Sequence, residues 1–326
     1  MMMAGAVGRP LTDDHAAWLL RHGLLPEAAL ARYEAYALPD LIAYAYPGIE
    51  GEEQNLLVDT LGWFTILDDH FDGPSGSDLA GTRDLVRRLL DVLEDPDTAA
   101  YHPGADPPSP ADHHSIEYGR PIESAAGGAG PLHLLAAWRD LWRRQRTGMP
   151  ATWSRRASRD WARCLTTFVT EACHRTAATL PTVRQAVHLR RHASCLYPFM
   201  NMLERVRGTV LPEEIHAERE LRLLRAHVAD TATLINDLYS LEREERHSCP
   251  FNMIVILRRE HRLSRSAAVE AVRTEIDRLG ARSDILRNYL AAHHPEADWY
   301  LRATRQLVEG VRLWSSTTER YTDATL

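Results

Sequence analysis

Apolar residues recur at the helical period of 3.6 over 52–72, 131–146, 158–178, 182–207, 212–246, 250–278 and 283–320, and no stretch alternates convincingly at the period of two that a half-buried strand requires. The pattern predicts an all-α fold. Its breaks fall where turn chemistry expects them, at Pro47-Gly48, Gly73-Pro74, Pro150, Pro181, Pro212 and Pro295. Short connections of this kind predict helices packed as antiparallel neighbours in a bundle.

The segment 95–131, which runs from Asp95 to Pro131 through ADPPSPADHH and ESAAGGAG, departs from this pattern. Its proline, glycine and small polar residues offer too little apolar area to offset chain entropy, so it is expected to be a mobile loop. Only about four helices precede it, so it reads as an insertion within one domain spanning 1–326 rather than as a linker. Residues 1–10 read as a flexible N-terminus, and no internal repeat is visible.

One helix end carries unusual charge. The apolar run LLVDTLGWFTIL leads into Asp68, Asp69, His70, Phe71 and Asp72, followed by Gly73. Three carboxylates within five residues repel one another, and Asp68 and Asp72, four apart, share a helical face. They sit at the C-terminal end, against the helix dipole, so capping does not account for them. A hard divalent cation is the natural compensation. A lone DDxxD also arises as a solvated acidic turn, and a second motif has to decide.

That second motif is Asn236-Asp237-Leu238-Tyr239-Ser240-Leu241-Glu242-Arg243-Glu244, inside a strongly helical stretch. Asn236, Ser240 and Glu244 fall at i, i+4 and i+8 and form one stripe that drifts by about 40° per step. The stripe offers an amide oxygen, a hydroxyl and a carboxylate, three hard ligands of the type magnesium accepts while keeping positions for water and phosphate.

Composition narrows the chemistry. With 326 residues, 44% of them hydrophobic, and a net charge of -7 at a pI near 6.1, the chain can bury a large core but has no overall positive field for nucleic acid or an anionic membrane. All 38 Lys+Arg residues are arginine. This excludes Schiff-base chemistry, a GK[ST] phosphate loop and a lysine general base, and leaves guanidinium groups to meet an anionic substrate. Cys164, Cys173, Cys195 and Cys249 show no metal-finger or redox spacing and read as reduced thiols of a cytoplasmic protein. The pairs His113-His114 and His293-His294 lie beside proline, without HExxH, and read as exposed. The N-terminal residues do not read as a secretory signal, and no run approaches the roughly 20 apolar residues of a membrane span, so no membrane insertion is expected.

With both motifs present, in this order and at this separation, the sequence resembles the class I terpene synthase family, in particular the bacterial cyclases. The resemblance runs from LPDLIAYAYPG through HSCPFNMIVILRREHRLSRSAAVEAV to Arg320-Tyr321, leaving out the N-terminal residues and 95–131. It implies a single-domain helical bundle around a deep apolar cavity, with the motifs facing each other across its mouth and three magnesium ions between them. On this analogy Asp68 and Asp72 hold two ions, Asp69 assists or hydrogen-bonds nearby, and Asn236, Ser240 and Glu244 hold the third. The diphosphate-sensing arginine falls on Arg190, with Arg191 as the one-residue alternative, and Arg243 and the Arg320-Tyr321 pair complete the anion site.

The family's acidic or hydroxyl-bearing relay residue is replaced here by Ala193, which puts a side-chain relay in doubt; Ser194 follows it, near a break expected from Pro198, and is expected to line the pocket with its backbone carbonyl or hydroxyl toward the reacting carbons. Phe64, Tyr197 and Trp314 match the need for aromatic faces that attract a carbocation in a dry pocket. The implied activity is magnesium-dependent cyclisation of a prenyl diphosphate, expected to be farnesyl diphosphate, with release of diphosphate. Geranylgeranyl diphosphate is the second choice. A prenyl-chain-elongating synthase, which usually repeats DDxxD and uses lysine, and a catalytically silent helical binding protein are the rival readings. Product identity and oligomeric state, a homodimer included, stay open.

Overall fold

The computed structural model describes residues 12–94, 129–246 and 250–321. Among these residues the chain is helical throughout and forms no strand. An N-terminal layer consists of α1 (Asp13–Arg21), α2 (Leu30–Glu34) and α3 (Leu38–Ala45), followed by α4 (Gly51–Asp72) and α5 (Leu79–Glu94). The chain continues with α6 (Pro131–Arg146), α7 (Ala151–Thr176), α8 (Val183–Ala193), α9 (Leu196–Arg207), α10 (Glu213–Ala217) and α11 (Arg219–Arg246). It ends with α12 (Met253–Glu260), α13 (Arg265–His293), α14 (Asp298–Ser315) and a 3-10 turn at Glu319–Tyr321. Of the expected loop, only Ala129–Pro131 are described: Gly130 caps α6 and Pro131 opens it. The remainder of that loop, the first ten residues, His113-His114 and Cys249 lie outside the described residues.

Local chemistry explains where the expected helices were divided differently. The stretch 182–207 splits because Cys195 adopts a left-handed backbone, φ 60°, between α8 and α9. Pro198 lies in the first turn of α9, where its missing N–H costs nothing and its ring would clash with the carbonyl of residue 194 in a continuous helix. The break therefore sits three residues before the proline. Within 250–278 the chain turns after Glu260, with Arg262 at φ 55°, and Ser264 caps the next helix by accepting from Ala267 N. From there α13 runs unbroken to His293, so the periodicity on either side of 280 belongs to one helix.

The core is organised around tryptophans. Trp63 of α4 stacks on Trp138 of α6 with centroids 4.5 Å apart, and Trp161 of α7 meets Trp138 edge-on at 4.8 Å. Such pairs add about 0.5–1.5 kcal/mol each beyond their buried area. Their indole N–H groups are satisfied: Trp63 donates to Leu134 O, Trp138 to Leu89 O and Trp161 to Gln145 Oε1. This cluster fixes α4, and with it the acidic helix end, against α6 and α7.

At the opposite side α14 lies directly on α3. A Cβ at Gly310 would stand 2.6 Å from Ala45 Cα, so only glycine permits this approach. Gln306 donates to Tyr44 O, and Trp314 and Thr318 both donate to Tyr36 O.

Candidate active site

The acidic end of α4 is anchored from below. Phe71 is buried and stacks on Phe168 of α7 at 4.6 Å, which fixes the end of α4 that carries Asp68, Asp69 and Asp72. Solvent reaches 40% of the Asp68 side chain, yet the surrounding protein and the Asp72 carboxylate push its carboxyl well above the usual range, against the pull of Arg320. Asp72 is raised for the same kind of reason, by the surrounding protein and by Asp69, with Arg175, Arg243 and Arg320 opposing.

Asp69 is held differently. Arg320 donates to both its oxygens, Nη1 to Oδ2 at 3.0 Å and Nη2 to Oδ1 at 2.8 Å, and Arg243 of α11 approaches at 3.6 Å. Both oxygens of Asp69 are thus engaged by Arg320. Arg320 also lies 3.6 Å from Asp68.

On α11, Asn236 donates its Nδ2–H to the Tyr321 hydroxyl at 2.6 Å, and Ser240 Oγ donates to Asn236 O at 2.8 Å. Glu244 accepts from Asn252 Nδ2 at 2.8 Å. Burial raises the Glu244 carboxyl, offset in part by Arg190 and reinforced by Asp237. Adjacent residues of the last turn thus reach both motifs, Arg320 to Asp69 of α4 and Tyr321 to Asn236 of α11. The two motifs face each other.

Arg190 and Arg191 part ways at the end of α8. Arg190 pairs with buried Asp237, whose second oxygen accepts from Met253 N, and its charge acts on Glu244 and Glu171. Arg191 makes two bonds to Asp230, two turns earlier on α11, at 2.7 and 2.6 Å. Behind these pairs, between α8, α11, α12 and α13, lies a cavity of about 300 Å³ walled by Val187, Leu234, Met253 and Val272; none of Asp68, Asp72 or Asn236 lines it.

Two polar residues at the site were not singled out by sequence. Glu171 of α7 is buried between the motifs: burial first, then Asp72, lift its carboxyl from the ordinary 4.5 to about 7, with Glu244 adding and Arg190 and Arg175 opposing. Nothing in its local sequence, VTEACH, marks it. Asn252 caps α12 by accepting from Ile254 N, and it donates to Asp237 O and Glu244 Oε2. An asparagine before the apolar run MIVIL is a readable capping signal.

The aromatic candidates differ in setting. Phe64 is half-buried one turn before Asp68, with its ring 6.3 Å from Phe168. Trp314 is buried, with its N–H on Tyr36 O and its ring edge-on to Tyr321 at 5.6 Å. Tyr197 is engaged by His192, stacked at 5.2 Å, and by Arg225, whose guanidinium carbon sits 5.2 Å from the ring centre. Ser194 terminates α8, its N–H on Arg190 O and its Oγ 3.4 Å from Arg191 O.

Among the described residues no three His, Cys, Asp or Glu side chains stand ready as a metal cage. The donor chemistry nevertheless fits a hard cation. The carboxyls of Asp68 and Asp72 are lifted by the surrounding protein and by neighbouring aspartates, and that of Glu244 by burial and Asp237, a state that a divalent ion relieves, and Asn236 and Ser240 add neutral oxygens. Asn236 presents its nitrogen to Tyr321, which orients its carbonyl oxygen elsewhere.

An all-α bundle that sets an aspartate-rich helix end against an Asn/Ser/Glu stripe, with arginines between, defines a metal-dependent class of diphosphate enzymes. The family profile described as "Terpene synthase family 2, C-terminal metal binding" matches residues 59–282. Pristinol synthase of Streptomyces pristinaespiralis is 29% identical over 318 residues, covering 93% of this chain and 78% of that protein. A (-)-beta-caryophyllene synthase of Saccharothrix espanaensis, described as (2E,6E)-farnesyl diphosphate cyclizing, is 28% identical over 262 residues, 80% of this chain and 66% of that protein. The crystal structure of a linalool/nerolidol synthase from Streptomyces clavuligerus superposes with a TM-score of 0.77 at 23% identity, over 96% of this chain and all of that one. The chain belongs to the terpene synthase family, as a class I enzyme that acts on prenyl diphosphates with a divalent metal. No helix among the described residues is long and apolar enough to cross a membrane.

Proposed function

We propose that this enzyme ionises farnesyl diphosphate with magnesium and cyclises the resulting cation to a sesquiterpene. The observation that carries the reading is the double reach of Arg320 and Tyr321 to the two motifs, which gathers carboxylates, amide, hydroxyl and guanidinium groups at one mouth. In this reading Asp68 and Asp72, with Asn236, Ser240 and Glu244 opposite, hold three magnesium ions. Bound there, magnesium would draw electron density from the diphosphate oxygens and make the group a good leaving group.

The chain's own part is recognition and exclusion. Arg190, Arg243 and Arg320 donate N–H groups to diphosphate oxygens, and Tyr321 adds its hydroxyl. The C–O bond breaks with its electron pair passing to the diphosphate, and the allylic cation is left beside apolar walls. Phe64 offers the negative face of its ring one turn below Asp68, while Trp314, tied by its N–H to Tyr36 O, serves through packing against Tyr321. Ser194, at the end of α8 beside the break at Cys195, offers its backbone carbonyl toward the reacting carbons, its Oγ being 3.4 Å from Arg191 O.

Support for a fifteen-carbon substrate comes from the farnesyl diphosphate named for the caryophyllene synthase relative and from the bulk of Phe64. Overfilling an apolar pocket by one more isoprene unit costs about 1–3 kcal/mol. The test is to incubate purified protein with C10, C15 and C20 diphosphates and magnesium and to analyse the volatiles. A cyclic C15 product should predominate, and predominant cyclisation of the C20 substrate would overturn the chain-length reading.

A further inference from the structure

We propose that Tyr36, on the turn between α2 and α3, is a positioning residue for diphosphate capture: its ring is the platform that holds the Arg320 guanidinium in place. The guanidinium carbon of Arg320 lies 4.8 Å from the ring centre of Tyr36, within the range of a cation–π contact. Both side chains are buried, at 9% exposure each, so water competes little for the contact.

The platform is fixed on every side. Ala37 follows in a left-handed conformation, φ 51°, which sets the turn before α3. The ring of Tyr33 leans on that of Tyr36 at 5.8 Å, and Tyr33 is itself held by His15 Nε2 at 3.0 Å, with His15 Nδ1 on Asp59 at 2.7 Å. The Tyr36 carbonyl accepts from Trp314 Nε1 at 2.8 Å and from Thr318 Oγ1 at 2.9 Å, and Thr318 Oγ1 in turn accepts from Arg320 N at 3.1 Å. One residue therefore locates Arg320 twice, through its backbone by way of Thr318 and through its side chain by way of the ring.

The consequence is chemical. A long arginine side chain left to itself loses rotamer freedom each time it binds an anion. Here the ring covers one face of the guanidinium and leaves its N–H edge directed at Asp69, which fixes the plane of the group from a second side. An arriving diphosphate meets a guanidinium whose plane is set. The α2–α3 turn, far in sequence from either motif, thereby becomes part of the anion site. This inference rests on the assignment of Arg320 to diphosphate binding made above.

The test is the affinity of the full-length protein for inorganic diphosphate with magnesium, measured by calorimetry, alongside steady-state kinetics with farnesyl diphosphate. Tyr36→Leu should weaken diphosphate binding and raise KM by about 3- to 10-fold, with kcat changed less, whereas Tyr36→Phe should stay within about 2-fold of wild type. Replacing Tyr36 with a ring-fluorinated phenylalanine keeps the shape but drains negative charge from the face, and it should reproduce most of the Leu effect even if Tyr36→Leu fails to fold. A fluorinated ring that behaves like Phe, or a folded Tyr36→Leu that binds diphosphate as wild type does, would overturn the assignment of Tyr36 alone. A wild type that binds no diphosphate would overturn the functional reading and this inference together.

Discussion

Asn236 donates its amide N–H to the hydroxyl oxygen of Tyr321 at 2.6 Å, so a residue of the last turn sets which end of a motif amide faces the mouth. Tyr321→Phe removes that acceptor and should lower kcat/KM by about 5- to 10-fold while raising the magnesium concentration for half-maximal rate, in the manner of lost outer-shell support. Asn236→Ala and Glu244→Ala remove ligands themselves and should cost about 100-fold or more in kcat. Circular dichroism measured on the same samples should be unchanged. Near-native turnover in both alanine variants would remove the metal assignment.

Asp68 and Asp69 are adjacent, yet only Asp69 is clasped by both nitrogens of Arg320. Asp68→Asn should therefore abolish most ionisation, by about 100-fold or more, because it takes charge from a proposed ligand. Asp69→Asn keeps an acceptor for Arg320 and should cost only about 10-fold. Product release assayed at saturating magnesium separates the two, and equal losses would argue that Asp69 is itself a ligand.

The arginines at the end of α8 should separate by assay. Arg190→Ala leaves Asp237 buried without its cation and removes a proposed diphosphate contact, so inorganic diphosphate binding should fall by about 10-fold or more. Arg191→Ala breaks a bidentate pair with Asp230 that lies off the mouth. Its effect should appear as a lower melting temperature with diphosphate affinity within about 3-fold of wild type. The opposite ordering in calorimetry would shift the sensor to Arg191.

Glu171 gives the metal-free protein a pH dependence of definite sign. Its carboxyl releases a proton near 4.5 when the chain is unfolded and near 7 when folded. Between those values the folded state binds more protons, so its contribution to stability is full below about 4.5 and is lost as pH rises through about 7. The raised carboxyls of Asp68 and Asp72 act in the same direction. Glu171→Gln should flatten this slope and raise the melting temperature at pH 8 by about 2–4 °C in the absence of metal. A slope unchanged by the substitution would place its origin in other groups.

Much of this arrangement is written locally. The helical period, the proline and glycine breaks and the two oxygen-rich motifs are patterns within single segments, and they predict the bundle, α4 with its acidic end and the stripe on α11. The contacts that assemble the mouth are long-range, and no local pattern encodes them. Asp237 reads as a filler between Asn236 and Ser240 until Arg190, 47 residues away, pairs with it. Glu171 resembles any helical glutamate until α7 carries it between two acidic groups. Tyr197, an aromatic beside a helix break, answers instead to Arg225 and His192, because a neighbouring helix brings a cation over its ring. The break near Pro198 was legible from the proline, but its seat at Cys195 was not, since a left-handed residue other than glycine leaves no compositional trace.

The glycine contact between α14 and α3 has a mechanical meaning. With Gly310 seated on Ala45 and with Gln306, Trp314 and Thr318 bonded to carbonyls of the α2–α3 region, the two helices are coupled as one rigid lever. Arg320 and Tyr321 ride at the tip of that lever, while the acids and the Asn/Ser/Glu stripe belong to α4 and α11. A strain imposed on α3 is therefore passed directly to the turn that carries Arg320 and Tyr321, so the anion site and the N-terminal layer share one mechanical support.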